Sequence, residues 1–275
     1  MKTVVIYASP NGTTKMAINF LASIFQKNGH DFITIDVSRP EPKKESAAKL
    51  LVDADIIGIA SPVYHLRILK TLDKYLKKNL SYITQISKIK SAFALVTYGG
   101  VTSGKAFLNI SRILGKNNIP VCGALKIKAP HFWKTEGYPD NETKLVLEDF
   151  FNRLDSKNFA PISFTRTKSV LSYQKKLIKF IYPLGRIIGY MRRQHISFDE
   201  SKCNKCGRCI KECPTSAINI REKAYRSSSK CVYCYHCAVI CPKKAFNTDI
   251  TKIEKIVRTN RSIAGTEYPE NEIFV

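Results

Sequence analysis

Eight of the nine cysteines fall in two runs of identical spacing. The first is Cys203-x2-Cys206-x2-Cys209-x3-Cys213 followed by Pro214, and the second is Cys231-x2-Cys234-x2-Cys237-x3-Cys241 followed by Pro242. Thiols two residues apart bring their sulfurs to one side of a tight loop, which suits thiolate ligation of a soft metal. Each proline turns the chain after the fourth cysteine. Zinc sites ordinarily use two separated C-x2-C pairs rather than triple runs ending in proline. With no secretory signal in evidence, metal ligation is expected over disulfides. The ninth cysteine, Cys122, lies in an apolar strand-like run and is expected to be a buried core thiol.

The duplicated run resembles the bacterial two-cluster ferredoxins across residues 196–246. That resemblance implies two [4Fe–4S] clusters with crossed ligation. Cys203, Cys206, Cys209 and Cys241 would hold one cluster, and Cys231, Cys234, Cys237 and Cys213 the other. Ile210, Ile218, Val232, Val239 and Ile240 would pack between and around them and limit water.

A second chemical feature lies at the N-terminus. An apolar run ends in Ser9-Pro10-Asn11-Gly12-Thr13-Thr14-Lys15, and a helical pattern follows. Backbone N–H groups and the helix dipole at such a junction favour an anion. Ser9, Asn11, Thr13 and Thr14 can add side-chain hydrogen bonds, and Gly12 lets the backbone turn closely. Plain helix capping by a threonine is the alternative reading. Two later segments follow strand-like runs: Ser61-Pro62-Val63-Tyr64-His65 and Tyr98-Gly99-Gly100. Taken singly, Pro62 and Gly99-Gly100 could be turn residues.

Together these segments resemble the flavodoxin-like superfamily, whose hydroxyl- and Gly-rich loop holds the FMN phosphate. Asn11 stands where that family's T-x-T-G-x-T pattern has a threonine. The resemblance implies a strand order of 2-1-3-4-5 with FMN at the switch point between strands 1 and 3. Ser61, Pro62, Val63, Tyr64, His65, Tyr98, Gly99 and Gly100 would then contact the ribityl and isoalloxazine groups. Tyr64 and Tyr98 are the ring-stacking candidates. His65 either hydrogen-bonds the flavin or lies on the surface. A dinucleotide site is disfavoured, because G-x-G-x-x-G is absent. His131, Phe132 and Trp133 follow the fifth strand and are expected to pack as an ordinary loop, away from the switch point.

The elements that must position these groups alternate. Strand-like runs at Thr3–Ala8, Phe32–Val37, Ile56–Ala60, Ala92–Thr97 and Ile119–Ile127 are separated by helical patterns. These lie near Lys15–Lys27, Ile68–Lys78, Gly104–Gly115 and Glu142–Leu154, with a weaker one at Glu41–Asp53. The fold class expected is α/β: a flavodoxin-like five-stranded parallel sheet plus a small α+β two-cluster ferredoxin domain. The FMN domain spans 1–160, a basic amphipathic linker 161–195, the ferredoxin-like domain 196–246 and a polar tail 247–275.

Charge points to partners. Lys and Arg number 45 against 22 Asp and Glu, a net of +23, with +10 over residues 1–160, +8 over 161–195 and +5 over 196–275. Such a balance favours an acidic redox partner of ferredoxin or flavodoxin type over nucleic acid. Residues 166–193 interleave cations with apolar residues. They are a solvated linker, a docking surface or a membrane-surface contact. No apolar stretch of membrane-spanning length exists, and a cytoplasmic protein is expected. The whole resembles flavodoxin–ferredoxin fusion proteins of anaerobes. It implies an electron conduit between FMN and the clusters. The alternatives are an FMN-dependent reductase of a quinone, nitro compound or metal complex, or a cluster-bearing sensor. No Ser-His-Asp set or P-loop supports hydrolysis or phosphoryl transfer.

Overall fold

A computed structural model describes residues 1–39, 50–132, 134–162, 196–220, 224–226, 230–264 and 270–275. The linker from 163 to 195, most of the weak helical pattern at Glu41–Asp53, and Trp133 lie outside the described residues.

The N-terminal domain is a sheet between two helical layers. Strands β1 (Lys2–Tyr7), β2 (Asp31–Asp36), β3 (Ile56–Tyr64), β5 (Ser91–Tyr98) and β6 (Val121–Lys128) run parallel in the order β2-β1-β3-β5-β6. This is the 2-1-3-4-5 order expected of a flavodoxin-like sheet. The central strands are apolar on both faces because helices cover both. Val5 and Tyr7 face α1 (Thr13–Lys27) and α4 (Asn141–Ser156), whereas Val4 and Ile6 face α2 (Lys70–Ile86) and α3 (Ala106–Lys116). Leu72, Leu76, Leu80 and Ile83 recur at helical spacing along α2 and are buried against the sheet. Cys122 is fully buried in β6, as expected of a core thiol.

Two departures from the simple alternation affect the site. β3 runs on through Ser61 to Tyr64 and turns back into β4 (Arg67–Ile68), pairing Val63 with Ile68. His65 and Leu66 make that turn with φ of 48° and 65°. The second departure is the tail. It forms α7 (Ile250–Ala264) and a strand, β11 (Glu272–Phe274), which pairs antiparallel with β6 at the sheet edge. The buried Lys126 of β6 meets Glu272 of β11, an ion pair that gives the lysine charge a partner.

The second domain is small. β7 (Ser197–Phe198) pairs with β10 (Phe246–Asn247), and β8 (Ile218–Ile220) with β9 (Ala224–Arg226). Short helices α5 (Arg208–Lys211) and α6 (His236–Ile240) each enclose the third cysteine of their run, Cys209 and Cys237. Phe198 and Phe246 pack with centroids 4.9 Å apart, and Ile196, Ile218, Cys237 and Phe246 form the core. So few apolar residues cannot bury much surface, and such a domain needs additional cross-links to hold its loops.

Gly58 of β3 lies in register between Val5 of β1 and Phe93 of β5. A methyl group there would stand 2.5 Å from Phe93 Cζ and 2.7 Å from Val5 Cγ2. Gly58→Ala should therefore lower stability by about 1–3 kcal/mol, the usual cost of overpacking. Urea unfolding measures this, and an unchanged midpoint would refute the packing constraint.

Candidate functional site

The loop after β1 closes on itself. Gly12 N–H donates to Ser9 O at 3.2 Å, and Ser9 Oγ accepts from Lys15 N–H at 3.0 Å. Gly12 is the N-cap of α1, with φ 86°, a left-handed conformation that glycine adopts without strain. Gly12 has no side chain to cap the helix, and the Ser9 hydroxyl takes the Lys15 amide instead. Met16 N–H is taken by Gly12 O, so the first-turn amides of Thr13 and Thr14 remain for an anion. The Thr14 hydroxyl is turned inward, 2.7 Å from Thr97 Oγ1 in β5.

Asn11 leaves the loop altogether. Its Nδ2 donates to Cys234 O at 2.7 Å and to Tyr64 Oη at 3.2 Å. The residue that departs from the flavodoxin pattern thus ties the anion loop to the second cysteine run. Asn11 Oδ1 is buried and accepts no hydrogen bond among the described residues. Burial pushes the Tyr64 hydroxyl well above its ordinary pKa, with Cys234 and Tyr235 beside it adding to the shift.

Asn11, Thr13, Pro62, Val63, Tyr64, Thr97, Tyr98 and Gly99 line one cleft of about 610 Å³. Three of the residues named from the sequence have other surroundings as well as, or in place of, the cleft, and His65 takes the surface position that is one of its two expected places. Ser61 is fully buried, accepting from Leu69 N–H at 2.9 Å and bracing the β3 extension. His65 is exposed at the β3–β4 turn. Tyr98 is 3% exposed, its hydroxyl donating to Glu270 O at 2.7 Å and its ring 5.1 Å from Lys126 Nζ. Only part of Tyr98 reaches the cleft, which suits a wall better than a stacking partner.

The loop after β6, expected to pack away from the switch point, forms the opposite wall. Ala129, Pro130, His131 and Phe132 line the same cleft, and Phe132 stacks on Tyr235 at 5.1 Å and 20°. His131 lies against Gly99, where a Cβ would stand 2.5 Å from the imidazole Cε1. Arg261 of α7 donates to Gly99 O at 2.9 Å and crowds Gly100, whose φ is 79°. Burial, and then Arg261, lower the His131 pKa and keep the imidazole neutral. The signal for this wall is the aromatic pair Tyr233 and Tyr235 within the second cysteine run, which shares no sequence neighbourhood with Phe132.

The two cysteine runs are a backbone repeat with a 28-residue offset. Lys205 and Tyr233 have φ of 56° and 55°, Gly207 and Tyr235 of 72° and 59°, and Ser216 and Lys244 of 49° and 50°. Their N–H···S bonds repeat too. Lys205 N–H meets Cys203 Sγ and Tyr233 N–H meets Cys231 Sγ, each at 3.4 Å. Ala217 N–H meets Cys213 Sγ and Ala245 N–H meets Cys241 Sγ, each at 3.2 Å.

The side chains gather across the runs. Burial pushes the Cys237 thiol up to about 12, and its neighbours Cys231 and Cys213 contribute. Burial likewise raises Cys234, beside Cys237, Cys213 and Cys231. Cys209 is raised by burial, and its neighbours include Cys203 and Cys241. A pocket partly open to solvent is lined by Cys213, Cys231, Cys234 and Cys237 together with Cys209. Among the described residues no three His, Cys, Asp or Glu groups form a single-ion site. Cys213, Cys231, Cys234 and Cys237 thus line one pocket, and their soft thiol donors fit an iron–sulfur cluster. Of the expected packing residues, Ile218 is buried, whereas Ile210 and Val239 are 38% and 53% exposed. Each short helix turns those two side chains outward, away from the thiols' enclosed side.

Two family models match the chain: "Flavodoxin domain" over residues 4–112 and "4Fe-4S dicluster domain" over residues 195–258. The chain joins a flavodoxin domain to a 4Fe-4S dicluster domain. These are the domains of an electron-transferring iron–sulfur flavoprotein. No curated protein matches. Similar solved structures include the rubredoxin oxygen:oxidoreductase of the anaerobe Desulfovibrio gigas, at 17% identity and a TM-score of 0.44, covering 57% of this chain and 37% of that one. A flavodoxin from the domain Archaea is 19% identical with a TM-score of 0.42, covering 56% of this chain and 99% of its own. The chain thus spans just over a third of the oxidoreductase. Among the described residues no helix is long and apolar enough to cross a membrane.

The free amides at α1, the glycine conformation and the orphaned Asn11 oxygen fit a phosphorylated flavin. Gly12→Val should abolish retention of flavin during purification, because a β-branched residue is strained at φ 86° and would shift the turn that presents the amides. Absorbance near the flavin bands, set against protein content, measures the loss. Full flavin occupancy would exclude this loop as the phosphate site.

Proposed function

We propose that the chain converts between paired-electron and single-electron transfer, with FMN in the cleft and two [4Fe–4S] clusters on the cysteine runs. One observation carries the reading: the cleft and the thiol-lined pocket share Cys234 and Tyr235 as a wall. When bound, the flavin supplies one- or two-electron chemistry and each cluster one electron.

The chain's own residues do the holding. Gly12 and the amides of Thr13 and Thr14 bind the phosphate, and Ser9 keeps their loop closed. Asn11 and Tyr64 fix the distance between the anion loop and Cys234. Phe132 on Tyr235 covers the cleft and excludes water. Cys203, Cys206, Cys209 and Cys241 hold one cluster, and Cys231, Cys234, Cys237 and Cys213 the other. A reducing compartment, the cytoplasm, suits free thiolates, and an acidic redox protein is the expected partner.

A second reading draws on an adjoining space of about 1070 Å³ that shares Ala129, Pro130 and His131 with the cleft and is lined by Lys128, Arg258 and Arg261. It would admit a small substrate for reduction at the flavin. Turnover with quinones or nitro compounds, lost in Arg258→Ala, distinguishes it from the conduit.

Protein purified anaerobically should release FMN and contain about eight iron and eight sulfide per chain, as two four-iron clusters require. Cys213→Ala should halve the iron and remove the cluster of Cys231, Cys234 and Cys237 while sparing that of its own run. Zinc without acid-labile sulfide, or loss of the first-run cluster in that variant, would overturn the assignment.

A further inference from the structure

The two cysteine runs share a backbone, but the residues set between their cysteines differ. In the second run they are Val232, Tyr233, Tyr235 and His236. These side chains are committed to the flavodoxin domain. Tyr235 stacks on Phe132, Tyr233 lines the flavin cleft, and Cys234 O accepts from Asn11. His236 lies 3.9 Å from Glu212, which pairs in turn with Arg39. Cys234 and Cys237 are buried accordingly.

In the first run the intervening residues are Asn204, Lys205, Gly207 and Arg208. Lys205, Cys206 and Arg208 are exposed. Cys241, which the crossed arrangement assigns to the same cluster, is followed by Pro242 and the exposed Lys243 and Lys244. No Asp or Glu lies between Ser201 and Lys211 or between Cys241 and Thr248. The adjacent Asp199 is paired with Lys202 at 3.0 Å. None of Lys205, Arg208, Lys243 and Lys244 has an ion-pair partner among the described residues.

We infer that this first-run face is the docking surface for an acidic one-electron carrier protein. The inference rests on the functional reading above and adds where the partner binds. The second run is closed off by its own flavodoxin domain. The first run presents its ligand edge to solvent among cations, and of the carboxylates that flank it Asp199 is paired with Lys202 and Glu212 with Arg39, which leaves the exposed Glu200 before the run. Cations around an exposed edge steer an acidic protein into register and raise its association rate, an effect that salt screens. Each encounter moves one electron, so the chain loses what the carrier gains, and a two-electron change in the flavin needs two encounters.

The test uses the anaerobically purified holoprotein and measures association with an acidic two-cluster ferredoxin and, separately, an acidic flavodoxin. The variant is Lys205→Glu/Arg208→Glu/Lys243→Glu/Lys244→Glu. At low ionic strength its association rate with the carrier should fall about tenfold or more, and the gap to wild type should close as salt rises. Iron, sulfide and flavin content should be unchanged. If the reversal costs iron, the neutral Lys205→Gln/Arg208→Gln variant should show the same trend at smaller size. Reversal of Lys74 and Lys78, exposed on α2, should leave the rate unaltered. The inference falls if neither carrier binds wild type at low salt, or if the four reversals leave the rate intact. It falls equally if the α2 reversal has the same effect, or if reversing Lys175, Lys176 and Lys179 accounts for the loss instead. Absence of flavin, iron and sulfide from purified wild type would instead overturn the functional reading beneath it.

Discussion

Negative charge must be held inside this protein with almost no buried cations to neutralise it. A flavin phosphate and thiolate-bound clusters both bring such charge, and an uncompensated anion in a low-dielectric interior is costly. The chain answers with backbone N–H groups aimed by turns. At α1 the left-handed Gly12 leaves two helix amides facing outward. In the cysteine runs, Lys205 and Tyr233, both at positive φ, turn their amides back onto sulfur. The Cys241 thiol shows the balance: burial raises its pKa, but N–H groups from Phe246, Ala245, Lys243 and Lys244 outweigh it and lower the net value. Backbone donors cost no side-chain entropy and stay in place through a change of charge, which suits groups that must accept and release electrons.

The same economy explains why the chain returns to its first domain after the second. Edge strand β6 would otherwise expose its hydrogen-bonding groups, and β11 covers them. The connection between the two domains' ends carries α7 across the loop after β5, where Arg261 holds Gly99 O and packs on Gly100. The flavin cleft is therefore walled by elements from both ends of the chain and from the second domain. Lys126 is the cost of that closure: burial lowers its pKa, and Glu272 offsets the penalty by pairing with it.

What could be read from the sequence was what is local. The alternation of strands and helices and the cysteine spacing follow from periodicity and from motifs within about ten residues of one another, whereas the strand order came only with the resemblance that those motifs carry. So did the anion loop, since Gly12 and the first turn of α1 are consecutive. What could not be read depends on partners distant in sequence. Asn11 stood out as a departure from a pattern, but its bond to Cys234 spans 223 residues. Tyr98 looked like a ring-stacking residue because it ends a strand at the switch point; the tail's Glu270 and the buried Lys126 claim it instead. Phe132 looked incidental until Tyr235 supplied its other face. β11 carries too few residues for any periodicity to register.

The repeat of the cysteine runs also shows how a symmetric backbone acquires direction. Two equal loops with matched φ angles and matched N–H···S bonds would by themselves present two equivalent clusters. Symmetry is broken by the four positions the cysteines leave free in each loop, whose side chains do not alter the thiolate geometry. Filled with Val, Tyr, Tyr and His, one loop packs on a neighbour and buries two of its cysteines, Cys234 and Cys237. Filled with Asn, Lys, Gly and Arg, the other stays wet and charged. Solvent and nearby charge are among the properties that set a cluster's potential, so clusters held on the two runs would meet different surroundings. Both differences arise from the same few side chains, and they act without disturbing the metal ligands.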